Sequence, residues 1–238
     1  MRVLVISDIH ANLTALDTVL ADAGEVGAVW CLGDLVGYGP DPNECIERIR
    51  SLPNLLCLIG NHDAGTLGSI DVDSFNTDAR LSILWTQKTI NAENRAFLEL
   101  LPERLVYGQT TLVHGSPRNP VWEYILEARI ARFNFEYFET PYCFVGHSHL
   151  PVMYQYPNSH GDLRLAILDA NQALVVQPRA ILNPGSVGQP RDRDPRAAYA
   201  IFDTETNTWE QRRVSYDVHA VQERIRQAGL PERHAIRL

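Results

Sequence analysis

Lysine is almost missing from this sequence: Lys88 is the only one, and the other 20 of its 21 basic residues are arginines. The 29 acidic residues outnumber both kinds together and leave a net charge of −8 at pH 7. A surface of that sign does not draw long nucleic acid or an anionic membrane by its overall field. The arginine bias is chiefly compositional, although guanidinium suits bidentate contacts to phosphate. No apolar run approaches the roughly 18 residues of a membrane span. The opening MRVLVISDIH turns polar too soon for a secretion signal, so a cytoplasmic protein is expected. Cys31, Cys45, Cys57 and Cys143 form no C-x-x-C pair, and three of them sit in apolar runs. They read as buried free thiols of a reducing compartment, not as disulfides or nucleophiles. A G-x-S-x-G elbow is absent, which removes the usual serine-hydrolase signature. Internal repeats, low-complexity tracts and linkers are absent too.

What is present suffices for a sizeable core: 238 residues, 45% of them hydrophobic. One domain over residues 1–238 is expected, with 228–238 as a loose, Arg-rich tail. Apolar runs at 2–7, 28–32 and 54–59 read as buried strands. Between them, 12–22 and 41–51 carry helical spacing behind Asn12 and Asp41-Pro42. That alternation predicts a largely parallel sheet with helices on its faces. Residues 71–100 read as helix in two pieces broken near Asn91, and 120–138 as helix with irregular edges. Short strands are expected at 104–107, 110–113 and 142–145. Strands dominate 151–214, and 217–227 reads as a terminal helix. The fold class is α/β with two sheets, the strand-rich second half packing on the first.

Five short motifs stand out, four of them directly after a predicted strand: Ser7-Asp8-Ile9-His10, Gly33-Asp34, Gly60-Asn61-His62-Asp63, His114-Gly115 and Gly146-His147-Ser148-His149. Taken singly, each has an ordinary explanation as a turn, a cap or a buried imidazole. Jointly they do not, because five of the eight histidines fall inside them. His160, His219 and His234 stay outside the pattern and read as surface residues. Loops beyond the carboxyl ends of parallel strands line one crevice, so these side chains are expected to gather there. Crowded carboxylates are costly at neutral pH unless cations join them. Mixed oxygen and nitrogen ligands suit Mn, Fe, Zn, Ni or Co, and their number exceeds one tetrahedral zinc. Two divalent ions sharing a carboxylate are expected, able to generate hydroxide and clamp a phosphoryl group.

The ordered set D-x-H, G-D, G-N-H-D, H-G and G-H-x-H resembles the calcineurin-like metallophosphoesterase superfamily. The stretch NPGSVGQPR at 183–191 resembles a feature of its small bacterial phosphodiesterases. The resemblance implies a two-sheet metallophosphoesterase sandwich flanked by helices. It implies Asp8, His10 and His149 on one metal, Asn61, His114 and His147 on a second, and Asp34 bridging. His62 would face the substrate oxygens and Asp63 would orient His62. The implied activity is hydrolysis of small phosphodiesters, with monoesters as a second substrate type; a binding scaffold that has lost catalysis is the alternative. One departure is plain. Many relatives follow G-D with an Asp-Arg pair, whereas Gly33-Asp34 here precedes Leu35-Val36-Gly37-Tyr38-Gly39-Pro40. Another cation must then meet the phosphate. Arg118 and Arg191 are the candidates, with Tyr38 as a wall of the pocket.

Overall fold

The computed structural model describes residues 1–156 and 162–238. In chain order its elements are β1 (Arg2–Ile6), α1 (Leu13–Ala23), β2 (Ala28–Cys31), α2 (Pro42–Arg50), β3 (Leu55–Cys57), α3 (Asn61–Leu67), α4 (Thr77–Thr89), α5 (Ala92–Glu99), β4 (Arg104–Tyr107) and β5 (Thr110–Val113). There follow α6 (Ala128–Asn134), β6 (Tyr142–Phe144), β7 (Pro151–Gln155), β8 (Arg164–Ile167), β9 (Gln172–Val175), β10 (Ala180–Pro184), β11 (Ala197–Asp203), β12 (Thr208–Val214), α7 (Val218–Gln227) and α8 (Glu232–Ile236). No helix among the described residues is long and apolar enough to cross a membrane.

The strands form two six-stranded sheets, ordered β3-β2-β1-β11-β12-β9 and β4-β5-β6-β10-β7-β8. β1 explains its own depth. Side chains alternate along a strand, and both faces of this one are apolar. Val3 and Val5 face the second sheet, in a core with Trp30, Phe144, Leu182, Phe202 and Trp209. Leu4 and Ile6 face the other way, onto Leu16 and Val19 of α1 and Ile46 and Ile49 of α2. On the outer face of the second sheet, Val113, Cys143 and Ile181 pack with Ala131 of α6. The result is four layers, two sheets between flanking helices, as the sequence leads one to expect.

Each sheet contains a parallel triplet. β1, β2 and β3 run parallel in the first, and β5, β6 and β10 in the second. Both triplets send their C-terminal loops to the same end of the sandwich. Local sequence sets the helix boundaries. The Asn12 side chain accepts the Ala15 N–H at 3.1 Å, and the Asn91 side chain accepts the Asn94 N–H at 2.8 Å, which splits α4 from α5.

The structure corrects several expectations. β10 pairs with both β6 and β7 in the middle of the second sheet, although its last two residues, Asn183 and Pro184, disfavour strand. Pro184 is tolerated at the strand's last position. Residues 71–76 carry only a short 3-10 turn, Val72–Ser74, and helix in 120–138 is confined to α6. The loop before α6 is held by side chains instead: Glu123 accepts from Ser116 and Asn134, and the Trp122 carbonyl accepts from His147. The tail is not loose. Leu230 and Ala235 pack with Val221 and Ile225 of α7 and with Trp85. His234 is 2% exposed, not a surface residue, and its Nε2 donates to the Asp78 carbonyl at 3.0 Å. His160 lies outside the described residues.

Candidate functional site

Asp8 and His10 follow β1, Asp34 follows β2, and Asn61, His62 and Asp63 open α3 after β3. From the second sheet, His114 follows β5, and His147 and His149 follow β6. None of these nine side chains is more than 3% exposed. Asp8, His10, Asp34, His147 and His149 all hold φ between 49° and 62°. That left-handed conformation is uncommon outside glycine and better tolerated by Asp and His than by bulkier residues. It folds each loop back so that its side chain faces the other sheet's loops. Close approach is also required. A Cβ at Gly60 would lie 2.1 Å from Asp34 Oδ1, and one at Gly188 would lie 1.8 Å from the Ile9 carbonyl oxygen.

Two side-chain groups result. In the first, His149 Nε2 lies 3.1 Å from His10 Nε2 and 3.3 Å from Asp8 Oδ1. In the second, His114 Nε2 lies 3.1 Å from Asn61 Oδ1, 3.2 Å from His147 Nδ1 and 3.3 Å from Asp34 Oδ2. Asp34 Oδ2 is also 3.7 Å from His10 Nε2, so it stands between the groups.

The remaining ring nitrogens decide what these distances mean. His10 Nδ1 faces the Val36 carbonyl at 3.0 Å, and His149 Nδ1 faces that of Gln189 at 2.5 Å. His114 Nδ1 faces the Leu32 carbonyl at 2.9 Å, and His147 Nε2 faces that of Trp122 at 3.1 Å. A carbonyl accepts only, so each of these nitrogens carries the proton and the opposite one of a neutral ring is a lone pair. The short contact between His10 and His149 therefore sets acceptor against acceptor. Burial pushes His10 and His149 below the ordinary imidazole value, and His147 down to about 3, so protonation does not relieve them. Burial works against the charged form of His114 as well, but Asp34 beside it prevails and raises it to about 9. The centre thus calls for positive charge shared among several lone pairs. Ligand bonds of roughly 2.0–2.2 Å to one ion put neighbouring donor atoms about 3.0–3.6 Å apart. Both groups have contacts in that range, so the donor set fits divalent cations. Groups able to hold an ion include Asp8–His10–His149 and Asp34–His114–His147.

Asp63 does not orient His62. It sits in the first turn of α3 and turns back: Oδ2 accepts the N–H groups of Gly60 and Asp34, each at 2.9 Å, and Oδ1 accepts that of Val36 at 3.1 Å. It thereby ties the loops after β2 and β3 together. Burial and the Asp34 carboxylate push Asp63 up to about 7, against these three donors. Replacing Asp63 by alanine strands three buried N–H groups. A loss of about 3 kcal/mol or more in unfolding free energy is expected, read by urea titration of the metal-free protein.

His62 keeps an unpartnered, buried Nδ1. Its ring lies 4.4 Å from that of Tyr38, 4.9 Å from that of His10 and 5.3 Å from that of Phe75. Burial pushes its pKa down to about 4 despite Asp34. Arg191 donates to the Tyr38 hydroxyl at 3.4 Å and to Gln189 Oε1 at 3.3 Å, and its Nε has no partner. Its charge disfavours protonation of both His149 and His62, as a cation facing the centre must. Arg118 is not brought to the centre. It pairs with Glu123 in the loop before α6, with its side chain 39% exposed.

Some neighbours of the centre carry no motif. Tyr124 stacks on His147 with ring centroids 3.7 Å apart, and Phe75 meets Trp122 edge-on at 4.9 Å. The 183–189 loop is a scaffold. Asn183 donates to the Gly146 carbonyl at 2.6 Å, and Ser186 Oγ donates to that of Asp8 at 2.8 Å.

The calcineurin-like phosphoesterase superfamily domain model matches residues 1–207. An uncharacterized protein of Methanocaldococcus jannaschii is 42% identical over 237 residues, covering 97% of this chain and 94% of that one. The crystal structure of a metallophosphoesterase from Sphaerobacter thermophilus superposes with a TM-score of 0.91 at 47% identity, over 100% of this chain and 97% of that one. A symmetrical bis(5'-nucleosyl)-tetraphosphatase of Pectobacterium carotovorum is 34% identical over 67 residues, which is 26% of this chain and 24% of that enzyme. The chain belongs to the calcineurin-like phosphoesterase superfamily.

Proposed function

We propose that this protein is a dinuclear, metal-dependent phosphoesterase that hydrolyses phosphodiesters, and monoesters second, of small cytoplasmic molecules such as nucleotides. The observation that carries the reading is the opposition of lone pairs at the centre. His10 Nε2 faces His149 Nε2 with both Nδ1 atoms committed to carbonyls, while beside Asp34 the centre draws positive charge onto His114, with His147 Nδ1 and Asn61 Oδ1 turned to the same point. Asp8, His10 and His149 would hold one cation, Asn61, His114 and His147 a second, and Asp34 would touch both. Bound there, divalent cations supply a water acidified toward neutrality and a Lewis acid for the phosphoryl oxygens.

The chain's own residues do the rest. Four backbone carbonyls fix the imidazole tautomers and aim their lone pairs inward. Arg191, with a free Nε beside Tyr38, stands in for the arginine that many relatives carry after G-D and binds a non-bridging phosphate oxygen. His62 is neutral at pH 7 and donates a hydrogen bond to the oxygen that leaves. A phosphoryl dianion beside it favours its protonated form and so assists proton transfer. Tyr38, Phe75, Trp122 and Tyr124 wall the centre against bulk water and give an aromatic group a surface to stack on. Nucleotide substrates are supported by that wall and by the segment shared with the Pectobacterium tetraphosphatase.

The test is hydrolysis of bis(p-nitrophenyl) phosphate beside p-nitrophenyl phosphate, with manganese restored after chelator stripping. Metal-dependent cleavage, faster for the diester, is the expected outcome. Cleavage of neither compound by protein shown to hold metal would move the chain to the scaffold alternative.

A further inference from the structure

Tyr38 holds a backbone conformation that aromatic residues rarely enter. Its φ is 61°, in the left-handed region, and the residue is 6% exposed. A bulky side chain stays in such a state only where its surroundings over-determine it. Three imidazoles supply that constraint. The Tyr38 ring lies 4.4 Å from that of His62, 4.6 Å from that of His10 and 4.9 Å from that of His234. The first two belong to the centre. The third belongs to α8, beyond residue 207 where the family match ends.

His234 is itself fixed. Its Nε2 donates to the Asp78 carbonyl in the first turn of α4, at 3.0 Å. α8 is tied to α7 by Gln222, whose amide donates to the Ala235 carbonyl at 2.9 Å. α7 is tied to the start of α2 by Arg224, which pairs with Asp41 at 2.9 Å. A narrow space behind the centre is lined by His10, Tyr38 and Gln189 together with Val221 and Ile225 of α7 and His234 of α8. The C-terminal helices therefore pack directly on the loops that carry the centre.

Tyr38 in turn meets the cation assigned above to phosphate. Its hydroxyl accepts from Arg191 at 3.4 Å, and the guanidinium carbon lies 6.0 Å from its ring centroid. Gln189 Oε1 accepts from the same guanidinium at 3.3 Å. Arginine has much rotamer freedom to lose, so these contacts are what order it before phosphate arrives.

We propose that His234 is a positioning residue for phosphate binding: it holds Tyr38 in its left-handed conformation, and Tyr38 holds the Arg191 guanidinium facing the centre. The inference rests on the phosphoesterase reading and on the role given there to Arg191. It makes α8 part of the phosphate site without contact to the substrate. Loss of the His234 ring lets Tyr38 relax, and Arg191 must then be ordered at the moment of binding.

The experiment is calorimetric titration of the manganese-loaded protein with orthophosphate, for wild type and for variants at the two positions. His234→Ala is expected to weaken phosphate about 2–10-fold, the range for one side chain that must be ordered on binding, and Arg191→Ala about 10–100-fold. Added to Arg191→Ala, His234→Ala is expected to have no further effect, because it acts only through that cation. His234→Phe keeps a ring against Tyr38 and is expected to bind phosphate like wild type. His234→Gln keeps a donor for the Asp78 carbonyl but no ring, and is expected to match His234→Ala. A role in stability alone predicts rescue by Gln and not Phe, and an equal loss with and without Arg191. Either of those results, or wild-type affinity in His234→Ala or in Arg191→Ala, would overturn the assignment. The comparison of Phe with Gln decides the matter if the alanine variant folds poorly. Failure of the phosphoesterase reading would show separately, as wild type that cleaves no bis(p-nitrophenyl) phosphate.

Discussion

Asp34→Asn is expected to lower metal-dependent phosphodiester hydrolysis by at least about 10³-fold while leaving the protein folded. Asp34 Oδ2 is the buried atom between the two ligand groups, 3.3 Å from His114 Nε2 and 3.7 Å from His10 Nε2. Asparagine keeps Oδ1, which accepts the His62 N–H at 2.8 Å, and so keeps the helix-start contact. At the Oδ2 position it places an amide that donates to those lone pairs. One negative charge disappears, and neutral donors occupy the place where cations are needed. A shared carboxylate contributes several kcal/mol to holding a metal pair, and about 4 kcal/mol corresponds to the stated factor. The metal-free variant should melt below metal-free wild type, because it loses the buried pair of Asp34 with protonated His114, yet still unfold cooperatively. Calorimetric melting of both stripped proteins, beside the rate assay, checks the two halves together. A stripped variant with no cooperative melting transition would show that Asp34 acts on the fold and not on cation binding.

His62→Ala is expected to reduce turnover about 10²–10⁴-fold, the range for a positioned proton donor, with bound metal unchanged. His62 borders one ligand group but is held by Tyr38, Phe75 and His10 rings, and its Nδ1 has nothing to bond within the protein. A buried imidazole nitrogen left in that state is costly unless a ligand meets it. Substrates with a poor leaving group should suffer most, since they depend most on proton donation. An equal loss for good and poor leaving groups would instead assign His62 to holding phosphate.

The gathering of the candidate ligands was legible because they fall directly after apolar runs. Asp8 and His10 after β1, and His147 and His149 after β6, needed only the rule that parallel strands bring their far ends together. The groups that orient those ligands were not legible. Val36, Leu32, Gln189 and Trp122 act through backbone carbonyls, which every residue possesses, so no residue type marks them. Asp63 was misread for a related reason: a carboxylate next to a histidine in sequence, but in the first turn of a helix, turns back to the open N–H groups behind it. Arg118 and Arg191 look alike in sequence, and only the fold shows Glu123 beside the first and the unpartnered Nε of the second. In the tail, Pro231 before Glu232 is a helix-start signal that the abundance of arginine obscured. β10 carries little strand signal of its own because two of its five residues are Asn183 and Pro184.

The central claim is that two cations sit among these seven ligands, and counting metal is its most direct measurement. Purified protein, stripped with chelator, reloaded with manganese and desalted, should carry two ions per chain by elemental analysis, and Asp34→Asn markedly fewer. Retention of no manganese by wild type, or equal metal in wild type and variant, would contradict it.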